Sequence, residues 1–239
     1  MSSNILIYGL SILPIILILF YVYINDRIEK EPVLLLTLLF ISGIIACISS
    51  YYFQVLIKGF IPFLNKSYYE MNILQIVFKS LITIAFIEEG LKWTLNYIFI
   101  RKNKNFNHMY DPIVYSTFVS LGFAALENFI YIKSYFSQGL RIVILRGFIS
   151  IPCHAVFGIL MGYFIGKSKK AKLDNNYKDS KKYLLFSSLI PITMHFIYDL
   201  CLVKSNNATF IMFITFIITC YVSVFKIIKS VSNVNKMLE

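Results

Sequence analysis

Glu88, Glu89 and Lys92 stand in one apolar stretch of this sequence, Glu127 and Asn128 in the next, His154 in the one after, and His195 with Asp199 in a fourth. A charged side chain near the centre of a bilayer costs at least a few kcal/mol, so ionisable groups retained there mark either a working site or a paired tether. A buried carboxylate without a full partner exchanges a proton near neutral pH, which is what a general base requires. Two imidazoles and a carboxylate also form a ligand set for a metal ion that keeps one position open for water. Both arrangements lead to the same kind of chemistry, attack by an activated water inside the membrane.

The spacing within each stretch says how the groups present themselves. On a helix Glu88 and Lys92 are four residues apart and share a face, so they are expected to pair, while Glu89 is rotated by about 100° and aims elsewhere. His195 lies four residues before Asp199, so imidazole and carboxylate project from one face, suited to metal ligation or to a histidine oriented by its acid. Asn128 is expected to bridge helices by hydrogen bonds, and Arg146 and Lys79 to snorkel or to form ion pairs. Gly158, Gly162 and Gly166 recur every four residues, a stripe of small residues along which a neighbouring helix can approach closely.

Positioning these groups requires a membrane bundle. Of the 239 residues 58% are apolar and only 15% charged, and the mean hydropathy is +0.70. Soluble domains carry roughly 25% charged residues. Taking about 20 apolar residues per crossing gives seven spans: Ile5–Ile24, Val33–Ile57, Ile73–Ile100, Pro112–Ile132, Ile142–Ile165, Tyr183–Val203 and Ala208–Ile228. An eighth is expected only if the third span or the Lys58–Met71 connection hides a broken helix. The fold class is therefore all-α, a polytopic transmembrane bundle forming a single domain over residues 1–239. The first span has no basic residue before it and no small-residue cleavage site after it, so it reads as a retained helix.

The net charge of +11 does not indicate nucleic acid, because the basic residues gather in the connections, where they act as topology signals and contacts for anionic lipid. Connections on one side carry 15 Lys and Arg against 5 on the other, seven of them in the low-complexity loop Gly166–Lys182. The positive-inside rule then places the amino terminus outside and the carboxyl terminus in the cytoplasm. All four cysteines lie in apolar runs, so no disulfide framework is expected.

The order EExxK at Glu88–Lys92, GFAxxEN at Gly122–Asn128, a histidine span ending in glycines, and HxxxD at His195–Asp199 resembles the PrsW family of bacterial intramembrane proteases. The likeness runs from about Asp26 to Lys204 and is similar in outline to the CAAX-processing and bacteriocin-processing membrane proteases. It implies site-1 cleavage of a single-pass, membrane-anchored anti-sigma factor in the bacterial cell membrane, on its extracytoplasmic side, which lets later proteases release an extracytoplasmic-function sigma factor. It also implies Glu88, Glu89, His154, His195 and Asp199 as catalytic residues, with Lys92, Glu127 and Asn128 in support. Two mechanisms stay open. In one, Glu88 or Glu89 with His154 activates water while His195 and its aspartate stabilise the oxyanion. In the other, His154, His195 and a carboxylate from Asp199 or Glu127 hold Zn²⁺ and a glutamate deprotonates its water. A proton-coupled transporter would also retain intramembrane Glu, His and Asp, but transporters often carry internal repeats and none is visible.

Overall fold

A computed structural model describes residues 2–100, 103–203 and 207–233. Arg101, Lys102, Lys204 and Lys236, which entered the count of basic residues, lie outside the described residues. The described residues form seven long helical runs. They are α1 (Ser2–Asn25), α2 (Val33–Phe60), α3 (residues 73–100), α4 (Asp111–Ser134), α5 (Leu140–Leu173), α6 (Tyr177–Val203) and α7 (Asn207–Asn233).

Six of these runs are long and apolar enough to cross a membrane, namely all but α3. α3 is an unbroken helical run in three pieces, Ile73–Phe78, Lys79–Phe86 and Ile87–Ile100, and carries Lys79, Glu88, Glu89 and Lys92. It packs against α2, α4 and α6, so its charged face meets protein instead of lipid. This is a multi-pass helical membrane bundle. The connection between α2 and α3 holds only two short 3₁₀ turns, Pro62–Asn65 and Tyr68–Glu70, so the eighth span considered above does not form.

α4 and α5 occupy the middle of the bundle, whereas α1, α2, α6 and α7 turn large apolar side chains such as Phe20, Leu34, Leu185 and Phe210 outward. In a bilayer those outward faces meet acyl chains and carry no penalty. The centre is drawn tight by glycines where helix backbones touch. A Cβ on Gly162 would run into the Pro112 carbonyl of α4, and one on Gly158 would lie 2.7 Å from the Ser116 carbonyl. The third member of that stripe, Gly166, approaches Met109 less closely. A second crossing pairs Gly43 of α2 with Gly122 of α4, each facing the other helix's backbone at Val119 and Phe40. Close approach of this kind replaces the hydrophobic drive that membrane helices lack, and it fixes α4 relative to both neighbours.

Two helical runs widen into π-type turns, at Lys79–Phe86 of α3 and Arg146–Ser150 of α5. Each wide turn changes the angle at which the following residues leave the axis. The first directly precedes Ile87 and the glutamate pair, and the second ends four residues before His154. Pro191 removes one backbone hydrogen bond a turn ahead of His195. Connections alternate between two ends of the bundle: residues 61–72 and the turn at Tyr135–Gly139 lie at one end, residues 26–32 and 103–110 at the other.

Candidate active site

The polar groups of α3 to α6 converge. Glu88 lies 8% exposed, Glu89 and Lys92 are fully buried, and His154 and His195 are 5% and 4% exposed. Lys92 donates from Nζ to Glu89 Oε1 at 2.7 Å, and His195 Nδ1 meets the same oxygen at 2.9 Å. The pairing expected between Glu88 and Lys92 is therefore not the one that forms. Residues three apart share a helix face as well as residues four apart do. Lys92 sits over the Phe123 ring and faces His154, a direction in which Glu89 is the nearer acid. Glu88 turns instead toward α2, where Gln54 donates to its Oε1 at 3.1 Å.

His154 has both ring nitrogens engaged. Lys92 Nζ lies 3.3 Å from Nδ1, and an ammonium only donates, so Nδ1 accepts and the proton sits on Nε2. That Nε2–H meets Glu127 Oε2 at 2.8 Å. Arg146 closes the group by donating from Nη2 to the same Glu127 oxygen at 3.1 Å and from Nε to Asn128 Oδ1 at 2.8 Å. Asn128 in turn donates to the Ser11 carbonyl of α1 at 3.1 Å, so it bridges α1, α4 and α5 as its amide chemistry suggests. The imidazoles of His154 and His195 stand perpendicular with centroids 5.8 Å apart, and Phe157 stacks on His195.

This constellation lines a cavity of about 580 Å³. Glu88, Glu127, His154, His195 and Asp199 are on its wall, and Gln54, Lys58, Ser67, Tyr68 and Tyr69 form its rim at the bundle end that carries the α2–α3 connection. Capping boxes at Ser67–Glu70 and Asn72–Gln75 hold that rim by reciprocal side-chain and backbone hydrogen bonds. Three carboxylate oxygens of this group are buried without a hydrogen-bond partner among the described residues: Glu88 Oε2 and Asp199 Oδ2 at the wall, and Glu89 Oε2 behind it. Unpaired oxygens of this kind, on a wall that also bears a histidine, are what water or a cation would satisfy.

The ligand set expected for a metal is only partly assembled. His195 donates Nδ1–H to the Glu89 carboxylate, leaving the Nε2 lone pair 3.8 Å from Asp199 Oδ1. A histidine oriented by a carboxylate on its far nitrogen is the usual arrangement of a metal-binding imidazole. His154, by contrast, is occupied at both nitrogens by Lys92 and Glu127. Among the described residues, the side chains expected to hold the metal are not a group whose ligand atoms all lie within 4.8 Å of one another. Donor chemistry thus fits a divalent ion at His195 and Asp199, whereas Glu127, the other carboxylate expected as a ligand, is held by His154 and Arg146.

Sequence reasoning had not singled out Gln54 or assigned a wall position to Ser150, since neither is ionisable. Arg146, expected as an ion-pairing residue, is the cation that Glu127 needs.

Comparison with known proteins supplies an independent result. Residues 31–227 match the family described as PrsW family intramembrane metalloprotease. The chain is 34% identical over 206 residues to a Protease PrsW of Oceanobacillus iheyensis, covering 86% of this chain and 87% of that relative. It is 32% identical over 213 residues to the Protease PrsW of Clostridioides difficile, covering 89% and 85%, and 31% identical over 202 residues to that of Bacillus subtilis, covering 84% of each. No solved structure matches the chain.

Proposed function

The chain belongs to the PrsW family of intramembrane proteases and is therefore a membrane-embedded hydrolase, and from this premise we propose that it makes the site-1 cut in a membrane-anchored anti-sigma factor on the extracytoplasmic side. The family assignment replaces the transporter reading. The observation that carries the proposal is the cavity itself, which gathers the acids and imidazoles of four helices and reaches the bundle end that carries Ser67, Tyr68 and Tyr69. Alternation of the basic connections assigns that end to the outside of the cell membrane, with the amino terminus outside and the carboxyl terminus in the cytoplasm.

In this reading Glu88 is the general base. Its Oε2 has no partner and reaches the cavity wall, whereas Glu89 is committed to Lys92 and His195 and is sealed from the cavity. Water attacks the scissile carbonyl carbon as Glu88 takes its proton. The C–N bond then breaks as Glu88 returns that proton to the departing nitrogen. In its doubly protonated form His195 keeps Nδ1–H on Glu89 and donates Nε2–H to the developing oxyanion, and Arg146 and Lys92 hold Glu127 and His154 in place around it. A divalent ion bound at His195 and Asp199 would lower the pKa of the attacking water and polarise the carbonyl.

A bacterium carrying this chain tests the substrate. Wild-type protein is expected to yield a truncated, still membrane-bound anti-sigma factor, shortened on its extracytoplasmic side, and deletion to leave the factor whole. In membranes from those cells phenanthroline is expected to stop the cut and added zinc to restore it. A factor shortened equally without the chain, or cut on its cytoplasmic side, would refute the assignment.

A further inference from the structure

At the opposite end of the bundle a second group of acids comes together, one that the peptidase reading does not use. Asp26 follows α1, Glu31 precedes α2, and Asp111 begins α4, with exposures of 1%, 4% and 0%. Each offers a carboxylate oxygen within 4.8 Å of the others. At 1.5 Å per residue, Asp111 lies about 24 Å along α4 from Glu127, so this group is remote from the cavity.

The neighbouring basic groups are occupied elsewhere. Lys30 donates to the carbonyls of Tyr23, Ile24 and Asp26, where it caps the end of α1. Lys169 donates to the Phe106 carbonyl and lies over that ring, and Arg27 bonds Asn233. His108 Nδ1 meets Asn107 Oδ1 at 2.6 Å and stays 4.0 Å from Asp111 Oδ1. The backbone N–H groups of Asn107 and His108 satisfy Asp111 Oδ2. Both oxygens of Asp26, Oε2 of Glu31 and Oδ1 of Asp111 are left buried with no hydrogen-bond partner among the described residues. Neither Asp26 nor Glu31 has an ion-pair partner there.

Three buried carboxylates that come within 4.8 Å of one another cannot all stay ionised without positive charge between them, because an unpaired buried ion costs several kcal/mol. The ligands are oxygen atoms without sulfur, the preference of magnesium, calcium and manganese and not of zinc or copper. We propose that Asp26, Glu31 and Asp111 form a structural site for a hard divalent cation, which ties the exit of α1 and the start of α2 to the first turn of α4. Burial first, and then the neighbouring carboxylates, push the Asp26 carboxyl up to about 7 and that of Glu31 up to about 8, the latter against an opposing contact from the Tyr115 hydroxyl. A cation relieves that pressure on all three acids together. Because α4 also carries Glu127 and Asn128, the clamp fixes from its far end the helix against which α2 and α5 pack.

Manganese binding to the purified full-length chain, stripped with EDTA and followed by electron paramagnetic resonance, tests this directly. Wild type and Glu31→Gln are expected to differ by one bound Mn²⁺ per chain, and Asp26→Asn to weaken that site at least about tenfold. Mg²⁺ or Ca²⁺ is expected to raise the unfolding temperature of wild type but not of Glu31→Gln. An Asp199→Asn chain, altered in the cavity, keeps the site. Equal manganese occupancy in wild type and both variants would overturn the proposal. So would amide variants more heat-stable than wild type with no response to metal in any of them, which would mean that protons and not a cation hold the cluster. If both variants fail to fold, wild type alone decides, since a chain that stays metal-free at saturating Mn²⁺ or shows no metal-dependent stabilisation refutes the site.

Discussion

Glu88→Gln is expected to lower the turnover of a membrane-anchored substrate by roughly 10²–10⁴-fold, the span over which a positioned general base contributes. Gln54 donates to Glu88 Oε1, and a glutamine in its place still offers an acceptor oxygen of the same reach, so the link to α2 survives the change. The free Oε2 becomes an amide nitrogen that cannot accept a proton from water. Substrate binding along the Tyr68–Tyr69 rim does not depend on that atom, so kcat is expected to fall with little change in KM. Initial rates on a reconstituted single-pass substrate, together with an unfolding curve matching wild type, check this. Retention of more than about a tenth of the wild-type rate would move the base to another residue.

Lys92→Met carries the largest expected cost to stability. The ammonium is completely buried, pairs with Glu89 at 2.7 Å, and lies 3.8 Å from the centroid of Phe123. Methionine fills the same volume without the charge and leaves the buried Glu89 carboxylate with His195 alone. Removing one partner of a buried pair costs about 3–5 kcal/mol. Thermal unfolding in detergent is expected to shift down by roughly 10 °C, taking about 2–4 °C per kcal/mol for a chain of this size. The double change Glu89→Gln with Lys92→Met removes both charges and is expected to recover most of that loss, because no ion is then left unpaired. It is not expected to recover activity, since His195 loses the carboxylate that orients it. A single Lys92→Met chain as stable as wild type would show that the pair contributes nothing, and a double change no better than the single would place the cost in packing.

The bundle was legible in the sequence because lipid leaves so little freedom. Long apolar runs must be helices, and basic residues must collect between them. Asn128 was legible as a bridge because an intramembrane amide has few other uses, and its contacts to Ser11 and Arg146 are of that kind. The glycines at 158 and 162 were legible as a contact stripe, and α4 is the helix they touch. Direction within a turn was not legible. Lys92 can face residue 88 or residue 89 at nearly equal cost, and the choice is made by Phe123 and His154 on other helices.

The wide turns at Lys79–Phe86 and Arg146–Ser150 also escape a reading based on a fixed period of 3.6 residues. They change the phase at which Glu88 and His154 emerge, which is one reason that spacing alone could not assign partners. Gln54 was invisible for a different reason. An uncharged amide at the edge of an apolar run carries no signal until the tertiary fold brings it to Glu88. The acids Asp26, Glu31 and Asp111 carry no joint signal in the sequence, since their convergence depends on the folding of three separate segments.

Cleavage in water enriched with oxygen-18, followed by mass analysis of both fragments, tests most directly whether the cavity hydrolyses a peptide bond within the membrane. The purified, reconstituted protein is expected to place one heavy oxygen in the new carboxyl terminus, at a bond on the extracytoplasmic half of the substrate's span level with Glu88 and His195. A fragment without the label, or a labelled cut mapping to the opposite half of the substrate's span, level with Asp26 and Asp111, would contradict the account.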